Sequence, residues 1–513
     1  MKKIIILSIV SVMACLVGCD DFLETNPRTQ VSEEEFYKTE NEVMMGEYAV
    51  INDIQERLME VFSYASLMSD ESETGGGLGE GVYKTKYDTF TFDPSTSPAW
   101  WNEWDYGLYN GVTSCNILLS KLSSSTLDEK FVNSITAETR FYRALFYAYL
   151  FMGYEQFPLI EEPLKVSEIY TVKKGTREEI YDFMLSDLSD EIINNLPDKA
   201  DTQEGRVSKD AARVLKTKLI LFDRDESRYA EALADMKEII NSGRYSLMPN
   251  YLDIWKKSGE FCSESIYELE FAGDNTGEGS RLVQSLSGRD INDPRSASEG
   301  GLSAGYGQNT MPSTIYNMFA SGDTRREGTV IDYREEAKKV QKLVADGVLA
   351  KGDTFIISDQ QENFEWLGHY KYHARKESTS DLDPLDNYAV NFRFYRYADV
   401  LLLATELQAR STGSVDSEGQ GWFDQIRDRA FQNTNHRIDL TTKSKAEILD
   451  ILFKERGYEF MDEMQRWFDI MRFDKGTEIL GSKGWTEKFR YFPIAQKEID
   501  ASNGALDQNP GWK

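Results

Sequence analysis

The sequence predicts a mainly α-helical protein built from tetratricopeptide-like helical pairs, with loop-rich and small β insertions. Three observations support this fold class. Apolar residues recur at spacings of three and four along most of the chain, one pair of neighbouring short helices has the pattern of an antiparallel unit, and strand-like alternation is confined to the middle of the chain. At 513 residues, the chain is long enough to bury a sizeable core without disulfides or metals.

The start of the chain differs from the rest. Two lysines precede an apolar run over 4–17, which ends in Gly18 and Cys19. As a helix this run would span about 21 Å, shorter than the ~30 Å hydrocarbon core of a bilayer, so it is typical of a secretory signal peptide. The tetrapeptide LVGC at 16–19 resembles the lipobox of bacterial lipoproteins, and we expect residues 1–18 to be removed and Cys19 to be acylated. An ordinary cleavable signal with an incidental cysteine is the alternative.

A polar tether is predicted over 19–31 and an N-terminal helical region over 32–250. The first amphipathic pattern begins near Glu33. A glycine-rich segment over 69–98 then interrupts it, and this segment is predicted to be a loop outside the core. Further helices are predicted, in order, over 104–122, 137–154, 177–196, 208–222 and 228–241.

The last two of these helices indicate how the region is built. Ser208 can cap the first helix, and Gly243 follows the second. Neither helix is long enough to be stable alone, so we expect the two to pack as an antiparallel, tetratricopeptide-like pair. The residues expected on the buried faces are Ala211, Leu215 and Leu219 in the first helix and Tyr229, Leu233, Met236 and Ile240 in the second.

The C-terminal region, 251–513, is expected to form one compact unit with the first. Residues 250–391 are rich in glycine, serine and asparagine and predict loops with short strands, one of them within 364–373. That strand would hold His369 and His373 about 13 Å apart, too far to share one metal ion, so both are expected on the solvated surface. Helices are predicted again over 395–410, 422–431, 445–460 and 463–473, followed by an extended tail.

Composition argues against several classes of function. The formal charge of −29, from 58 Lys and Arg against 87 Asp and Glu, argues against nucleic-acid binding, which depends on basic residues. With only three histidines, a zinc site built from several imidazoles is not expected, and we find no Ser-His-Asp or Cys-His signature.

Asp381, Asp383 and Asp386 could bind calcium but lack the glycine and terminal glutamate of an EF-hand loop, so no cofactor is expected beyond that candidate. Cys115 and Cys262 are expected to be independent thiols rather than a disulfide.

Five sequence blocks and the tail resemble the SusD/RagB outer-membrane lipoproteins of Bacteroidetes, which capture substrate for a TonB-dependent transporter. The blocks are CDDFLE at 19–24, AETRFYRALFYAYL at 137–150 with the turn FPL at 157–159, RVSKDAARVLKTKLILF with YAEALADMKEIINSGRYSL within 206–247, RFYRYADVLLLATEL at 393–407, and KERGYEFMDEMQRWFDIMRF at 454–473. The order of these blocks along the chain supports the resemblance more than any single block does. The resemblance covers nearly the whole chain after Cys19. Glu155 and Met464 depart from it, because the family usually has glycine there. The resemblance implies a SusD-like fold and a SusC-like TonB-dependent transporter as partner.

The same resemblance implies where a ligand binds. In the family, residues of an N-terminal loop and of a mid-chain loop before an Asp-x-Arg segment, here 323–325, hold the ligand. Aromatic rings stack on sugars and amide side chains bond hydroxyl groups. Core packing at the start of the following helix is the alternative for the two tryptophans of the first loop. The candidate ligand contacts are Trp100, Trp101 and Asn102 in the first loop and Tyr306 and Asn309 in the second.

The fifth block has the pattern of a structural element rather than a catalytic one. Glu455, Glu459 and Glu463 recur at every fourth position and would share one helix face, where Arg456 or Arg466 can neutralise them. A buried ion-pair scaffold is therefore expected. Glycoside hydrolysis would need one carboxyl group with a raised pKa at a separation that suits a sugar, which carboxylates beside arginines do not indicate.

These expectations combine into one hypothesis of function. We expect a lipid-anchored outer-membrane protein, exposed on the cell surface, that captures an oligosaccharide and delivers it to the transporter without catalysis. A peptide-binding uptake lipoprotein of the same type is the first alternative. A glycan-cleaving enzyme is the second, and a scaffold that makes only protein contacts is the third.

Overall fold

The computed structural model describes residues 36–95, 107–273, 279–379 and 388–513. The predicted signal peptide, the tether and Cys19 lie outside these ranges. Helices form most of the secondary structure in the described ranges. None of these helices is both long and apolar enough to cross a membrane.

The N-terminal region is a succession of helices, several of which begin at a capping residue. Thr39, Thr176 and Ser208 each accept a hydrogen bond from a backbone amide in the first turn of the following helix, which satisfies a donor left free at a helix start. The predicted cap at Ser208 is thereby confirmed. The elements are α1 (Glu40–Asp53), α2 (Met59–Met68), β1 (Glu73–Thr74), α3 (Val82–Asp88), α4 (Leu108–Leu122), α5 (Glu129–Tyr154), α6 (Arg177–Asp187), α7 (Asp190–Ile193), α8 (Lys209–Asp223) and α9 (Tyr229–Asn241).

The C-terminal region combines short strands with longer helices. Its elements are β2 (Ser265–Leu269), α10 (Arg281–Leu286), β3 (Asn309–Thr310), α11 (Ser313–Met318), β4 (Val330–Asp332), α12 (Tyr333–Ala345), β5 (Leu367–His369), β6 (Phe392–Arg396), α13 (Tyr397–Thr412), α14 (Ser417–Phe431), α15 (Lys445–Phe460), α16 (Arg466–Arg472), α17 (Gly476–Leu480) and α18 (Gln496–Ala501). The described strands pair antiparallel, β1 with β3, β2 with β6 and β4 with β5. In the first pair, Glu73 lies opposite Thr310 and Thr74 opposite Asn309.

Helices α8 and α9 pack against each other as predicted, and α9 also packs against α13. The predicted buried face of α8 is confirmed. In α9, Leu233 and Ile240 are only partly buried, because contacts with two neighbouring helices rotate the buried face. The fully buried residues of α9 are Tyr229, Ala232, Met236 and Ile239.

Two helices contradict predicted loops. Helix α3 lies within 69–98, and Phe92, which follows it, is buried with its ring 5.7 Å from that of Trp512 in the C-terminal tail. Helix α12 lies in the region expected to hold loops and strands. Only Tyr333 and Val340 of α12 are buried, although apolar residues recur along it at helical spacing. The glycine, serine and asparagine content of the surrounding segment led to the loop prediction instead. The predicted strand over 364–373 is confined to β5.

The predicted buried ion-pair scaffold is confirmed, but its arginines differ from those expected. Glu455 and Glu459 lie on α15 and are buried, whereas Glu463 lies in the turn after it. Arg456 and Arg466 pair elsewhere, with Asp399 at 2.8 Å and with Asp70 at 2.7 Å. The close contacts of the three glutamates are Glu455 with Arg427 at 2.5 Å and Arg325 at 2.8 Å, Glu459 with Arg429 at 2.5 Å, and Glu463 with Arg396 and Lys371 at 2.7 Å.

Glu155 and Met464, the two departures from the family's glycine pattern, both have a positive φ angle. Their φ angles are +64° and +59°, in the left-handed region that glycine adopts without steric penalty. Glu155 ends α5, and Met464 lies in the turn between α15 and α16. Each position therefore keeps the turn while carrying a side chain that strains it.

Candidate ligand-binding surface

Three loops converge on one surface, which we call the loop face: 75–83, 287–308 and 356–366. Backbone hydrogen bonds join the three loops to one another, so they form a single structure. The amide of Gly75 donates to the carbonyl of Gln308 at 2.8 Å, that of Glu362 to the carbonyl of Gly76 at 3.2 Å, and that of Ser358 to the carbonyl of Arg289 at 3.1 Å.

Carboxylates hold the glycine-rich loop of the loop face in place. Arg289 donates to both oxygens of Glu80, at 2.6 and 3.1 Å. The amide of Gly77 donates to Glu80 at 3.1 Å, and the amide of Gly79 donates to Glu362 at 2.5 Å. The hydrogen bonds from Arg289 lower the pKa of Glu80, so this carboxyl group is ionised at neutral pH.

Large apolar side chains are exposed on the loop face. Leu78 is 72% exposed, at the tip of the glycine-rich loop. Clusters of exposed apolar and aromatic groups on a folded protein mark interaction sites. The other members, between 37% and 58% exposed, are Val82, Tyr83, Tyr306, Ile356 and Trp366.

Tyr306, a predicted ligand contact, projects from a turn that is bonded to α10 and the residues after it. The amide of Tyr306 donates to the carbonyl of Gln284, and the amide of Gly307 to that of Ser287, both at 2.8 Å. Gly307 has φ +57°, which favours glycine, and a Cβ there would lie 2.0 Å from Oε1 of Gln361, so any other residue would be strained and would displace that side chain. The backbone thus presents the phenol ring from a fixed position.

Asn309, the other predicted contact in this loop, lies beneath the loop face rather than on it. Its side chain is buried at 2% exposure. The side-chain amide donates to the carbonyl of Ser63 at 2.9 Å, and its oxygen accepts from Nζ of Lys84 at 3.3 Å. Asn309 therefore supports the Tyr306 turn from the interior. The predicted contacts Trp100, Trp101 and Asn102 lie outside the described residues.

Trp366 is a surface aromatic that the sequence reasoning missed, because it fell within a predicted strand. It is 40% exposed and has φ +62°, a conformation that is unusual for a bulky residue. Its carbonyl accepts a hydrogen bond from the amide of Tyr333 at 3.0 Å, and its ring lies 5.3 Å from that of Phe364. Backbone strain held by surrounding structure is a feature of binding sites. No signal in the sequence marks this conformation.

Both histidines of this region are buried, which contradicts the predicted surface position. Burial lowers the pKa of His373 to about 3, so the imidazole is neutral. Its Nδ1 donates to the carbonyl of Ala374 at 2.7 Å, and its Nε2 accepts from the amide of Gly288 at 3.3 Å. Gly288 in turn accepts a backbone hydrogen bond from Gly305. His373 therefore supports the turn that carries Tyr306.

The structure brings together a Ser-His-Asp arrangement that the sequence analysis did not find. Nδ1 of His369 lies 2.5 Å from Oδ1 of Asp462, and Nε2 lies 3.5 Å from Oγ of Ser72. All three side chains are fully buried. A nucleophile must reach its substrate, and no surface of this group is open to one, so the arrangement acts as an internal hydrogen-bond network.

No group of three or more His, Cys, Asp or Glu within the described ranges is placed to hold a metal ion. The calcium candidates Asp381, Asp383 and Asp386 lie outside those ranges. Cys115 is buried and Cys262 is half-buried, and both are free thiols, as expected.

A second concave surface, the polar groove, lies between α4, α5 and the segment 161–163. Its volume is about 740 Å³. Arg143 and Asp187 form an ion pair of 2.8 Å in its floor. The aromatic ring among its described lining residues, Phe183, is covered by the guanidinium of Arg143 at 4.7 Å. The polar groove thus lacks the open aromatic rings of the loop face.

Two family models match the chain. The model of the SusD family matches 263–484, and a model described as starch-binding and associating with the outer membrane matches 21–221. SusD-like protein P2 from Formosa agariphila is 26% identical over the full length of both chains. SusD-like protein P25 from the same organism is 24% identical, covering 91% of this chain and 89% of the relative.

Solved structures share the fold over nearly the whole chain. A laminarin-binding SusD-like protein matches with a TM-score of 0.78 at 27% identity, covering 93% of this chain and 100% of the other. Surface glycan-binding protein A from Bacteroides fluxus matches with a TM-score of 0.74 at 25% identity, covering 92% and 99%. Because the matched models span both regions and the fold agrees with these structures, the chain belongs to the SusD/RagB family.

Proposed function

We propose that this protein is a cell-surface glycan-binding lipoprotein that captures an oligosaccharide on the loop face. It then delivers the oligosaccharide to a SusC-like TonB-dependent transporter of the outer membrane. The LVGC tetrapeptide supports a lipid anchor at Cys19. The description of the matched N-terminal model supports association with the outer membrane.

The observation that carries the proposal is the pair of exposed rings on bonded loops, Tyr306 and Trp366. Sugar rings stack on aromatic faces, and a small number of fixed polar groups orient them. The loop face supplies such groups in Glu80, Arg289 and Glu362. Trp100, Trp101 and Asn102 remain the proposed contacts from the N-terminal loop.

The relatives support a glycan as the ligand class. One solved relative, at 27% identity, is named for binding laminarin, and another is named a surface glycan-binding protein. The matched N-terminal model is described as starch-binding. Laminarin and starch are therefore the first two probes.

Binding without cleavage fits the carboxylates of the loop face. A glycosidase needs a carboxylic acid that keeps its proton near neutral pH. Arg289 lowers the pKa of Glu80 and so holds this carboxyl group in its ionised form. Incubation with laminarin should therefore release no new reducing ends.

Native affinity electrophoresis in gels that contain laminarin or starch tests the proposal. Migration of the wild type should be retarded by one of the two polymers. Tyr306→Ala and Trp366→Ala should each weaken binding by about tenfold, equivalent to ~1.4 kcal/mol. Tyr170→Ala is the matched control, because Tyr170 is also exposed, at 55%, but lies on another loop.

Absence of retardation with a wide panel of glycans, or equal retardation of all four proteins, would contradict the proposal. Retardation by a peptide panel alone would favour the peptide-binding alternative.

A further inference from the structure

Lys84 lies in α3, beneath the loop face, with its ammonium group in the interior. The residue is 6% exposed. Its three N–H donors meet three neutral oxygens: Oγ of Ser63 at 2.9 Å, Oε1 of Gln308 at 2.9 Å and Oδ1 of Asn309 at 3.3 Å. The ring of Tyr64 lies 5.5 Å from the nitrogen. The ammonium group of Lys84 therefore has one acceptor for each of its three N–H donors.

A buried lysine is normally paired with a carboxylate, because an isolated charge is costly to desolvate. Within the described part of the chain, no carboxylate lies at ion-pair distance from Lys84. Glu60 of α2 acts on it only from farther away, and Asp88, one turn along α3, is paired with Lys483 at 2.6 Å. The charge is thus held inside the protein by hydrogen bonds to neutral groups.

The three acceptors connect a rigid helix to the turn that carries Tyr306. Ser63 belongs to α2, whereas Gln308 and Asn309 follow Tyr306 by two and three residues. We propose that Lys84 is a positioning residue, whose ammonium group locks the Tyr306 turn onto α2 and so fixes the loop face for its ligand. The ligand-binding part of this inference rests on the proposed function, but the locking of the turn does not.

The lock is expected to depend on pH. Burial lowers the pKa of Lys84 to about 8, while the charge of Glu60 opposes this shift. Below this pH the ammonium form supplies three N–H donors, and above it the neutral amine supplies two, so one of the three hydrogen bonds from Lys84 is lost. Oε1 of Gln308 and Oδ1 of Asn309 also accept from serine hydroxyl groups, at 3.2 and 3.3 Å, so the turn loses one bond to Lys84 and not all of its contacts. The turn should therefore be held tightly at pH 6.5 and less tightly at pH 9.

Rapid-quench deuterium exchange on the full chain without ligand tests the lock. After correction for intrinsic rates, wild-type amides within 303–310 should exchange about fivefold faster at pH 9.0 than at pH 6.5, the effect of losing one hydrogen bond. Lys84→Met should exchange fast at both pH values. Lys86→Met is the matched control, because it removes the same charge from the same helix, and it should follow the wild type.

Two results would overturn the inference. One is equal corrected exchange of 303–310 in the wild type at both pH values, a measurement that needs no variant to fold. The other is unchanged exchange in a folded Lys84→Met protein.

Titration with laminarin separates this inference from the proposed function. Because the glucan is neutral, wild-type affinity should fall about fivefold from pH 6.5 to 9.0, and the affinity of Lys84→Met should be low and independent of pH. If the wild type binds no glycan but the exchange difference is present, the lock stands and the proposed function fails. If laminarin binds equally at both pH values, Lys84 does not position the ligand site.

Discussion

The two glycines that flank Tyr306 allow the turn that holds its ring at the surface. A Cβ at Gly305 would lie 2.7 Å from the carbonyl oxygen of Gln284, and one at Gly307 would meet Gln361. The absence of a side chain at Gly305 therefore lets the turn approach the backbone of α10, and its absence at Gly307 leaves room for the side chain of Gln361. Close approach of this kind is one reason that glycine occurs in the turn that carries Tyr306.

Gly307→Ala should weaken laminarin binding by about tenfold, ~1.4 kcal/mol, because the new Cβ displaces Gln361 and tilts the turn. Gly300→Ala is the matched control, since Gly300 has a similar φ, +74°, but a Cβ there would meet no atom within 4 Å. Both variants should lose about 1 kcal/mol of stability from backbone strain alone. Isothermal titration calorimetry that finds equal affinity in the two variants would contradict the role assigned to Gly307.

Glu71→Gln should stabilise the protein at alkaline pH. Burial, and next the charge of Asp462, raise the pKa of Glu71 well above its ordinary value. Between the unfolded pKa of about 4.3 and the folded pKa, the folded state binds more protons, so stability is present at low pH and is lost as pH rises. Glutamine imitates the protonated form and removes this loss. Its free energy of unfolding should exceed the wild-type value at pH 8 by at least about 1 kcal/mol and match it near pH 4.

Thermal unfolding at the two pH values measures this effect. Glu478→Gln, at an exposed position of α17, should show no such difference. A Glu71→Gln protein that is less stable than the wild type at pH 8 would show that the buried carboxylate is needed in its ionised form.

At this scale the sequence predicted one exposed residue of the described site and missed others. Tyr306 was found through the resemblance, which aligns a loop that the local pattern alone does not distinguish. Trp366 was missed because a positive φ depends on tertiary contacts, here the hydrogen bond from Tyr333. The burial of Asn309 depends on Lys84 and Ser63, which are more than 200 positions away in the chain.

Among the elements, α15 shows how a charged helix becomes part of the core. Its acidic face meets arginines from three other segments, at 325, 396 and 429, so the charges are balanced by long-range contacts. Although burial opposes ionisation, these guanidinium groups lower the pKa of Glu459 below its ordinary value. The stability that Glu459 contributes is therefore present above its unfolded pKa and is lost as pH falls.

Glu459→Gln should reduce the free energy of unfolding by about 3 to 5 kcal/mol, because it leaves buried arginines without a counter-charge. Guanidinium denaturation at pH 7 measures the loss. The exposed Glu478→Gln variant should stay within about 0.5 kcal/mol of the wild type. A loss below about 1 kcal/mol for Glu459→Gln would indicate that the remaining carboxylates compensate.

The helices that were predicted well are those with strong local signals. Both bounds of α15, Lys445–Phe460, agree with the sequence, which carries a capping box at Ser444 and Glu447. Helix α12 was missed although Tyr333, Val340 and Val344 follow helical spacing, because it lies in a segment whose glycine, serine and asparagine content predicts loops. The predicted partners of the α15 glutamates were wrong. Arg456 and Arg466 are near them in the sequence, but the tertiary structure brings other arginines into contact with them.

At the scale of the whole molecule, the predicted helical fold and family membership are confirmed by the architecture and by the matched family models. These properties depend on features spread along the whole chain, such as helical periodicity and the order of the sequence blocks, so they can be read from sequence. The ligand and the transporter contact depend on loop geometry and on a partner, and they remain proposals.

Cys19→Ala should release the mature protein from the membrane fraction, because no other lipid attachment is proposed. Cys15→Ala is the matched control, since Cys15 lies within the predicted signal peptide and should leave fractionation unchanged. Fractionation and acyl-chain labelling measure the outcome. Continued membrane association of the Cys19→Ala protein would contradict lipidation at this residue.

The central claim is that the loop face, rather than the polar groove, holds the ligand. Deuterium exchange of the full chain with and without a saturating bound glycan, laminarin first, tests this most directly. The account predicts ligand-dependent protection of 75–83, 303–308 and 356–366 and no change at 119–143. Protection confined to 119–143, along the polar groove, would contradict it.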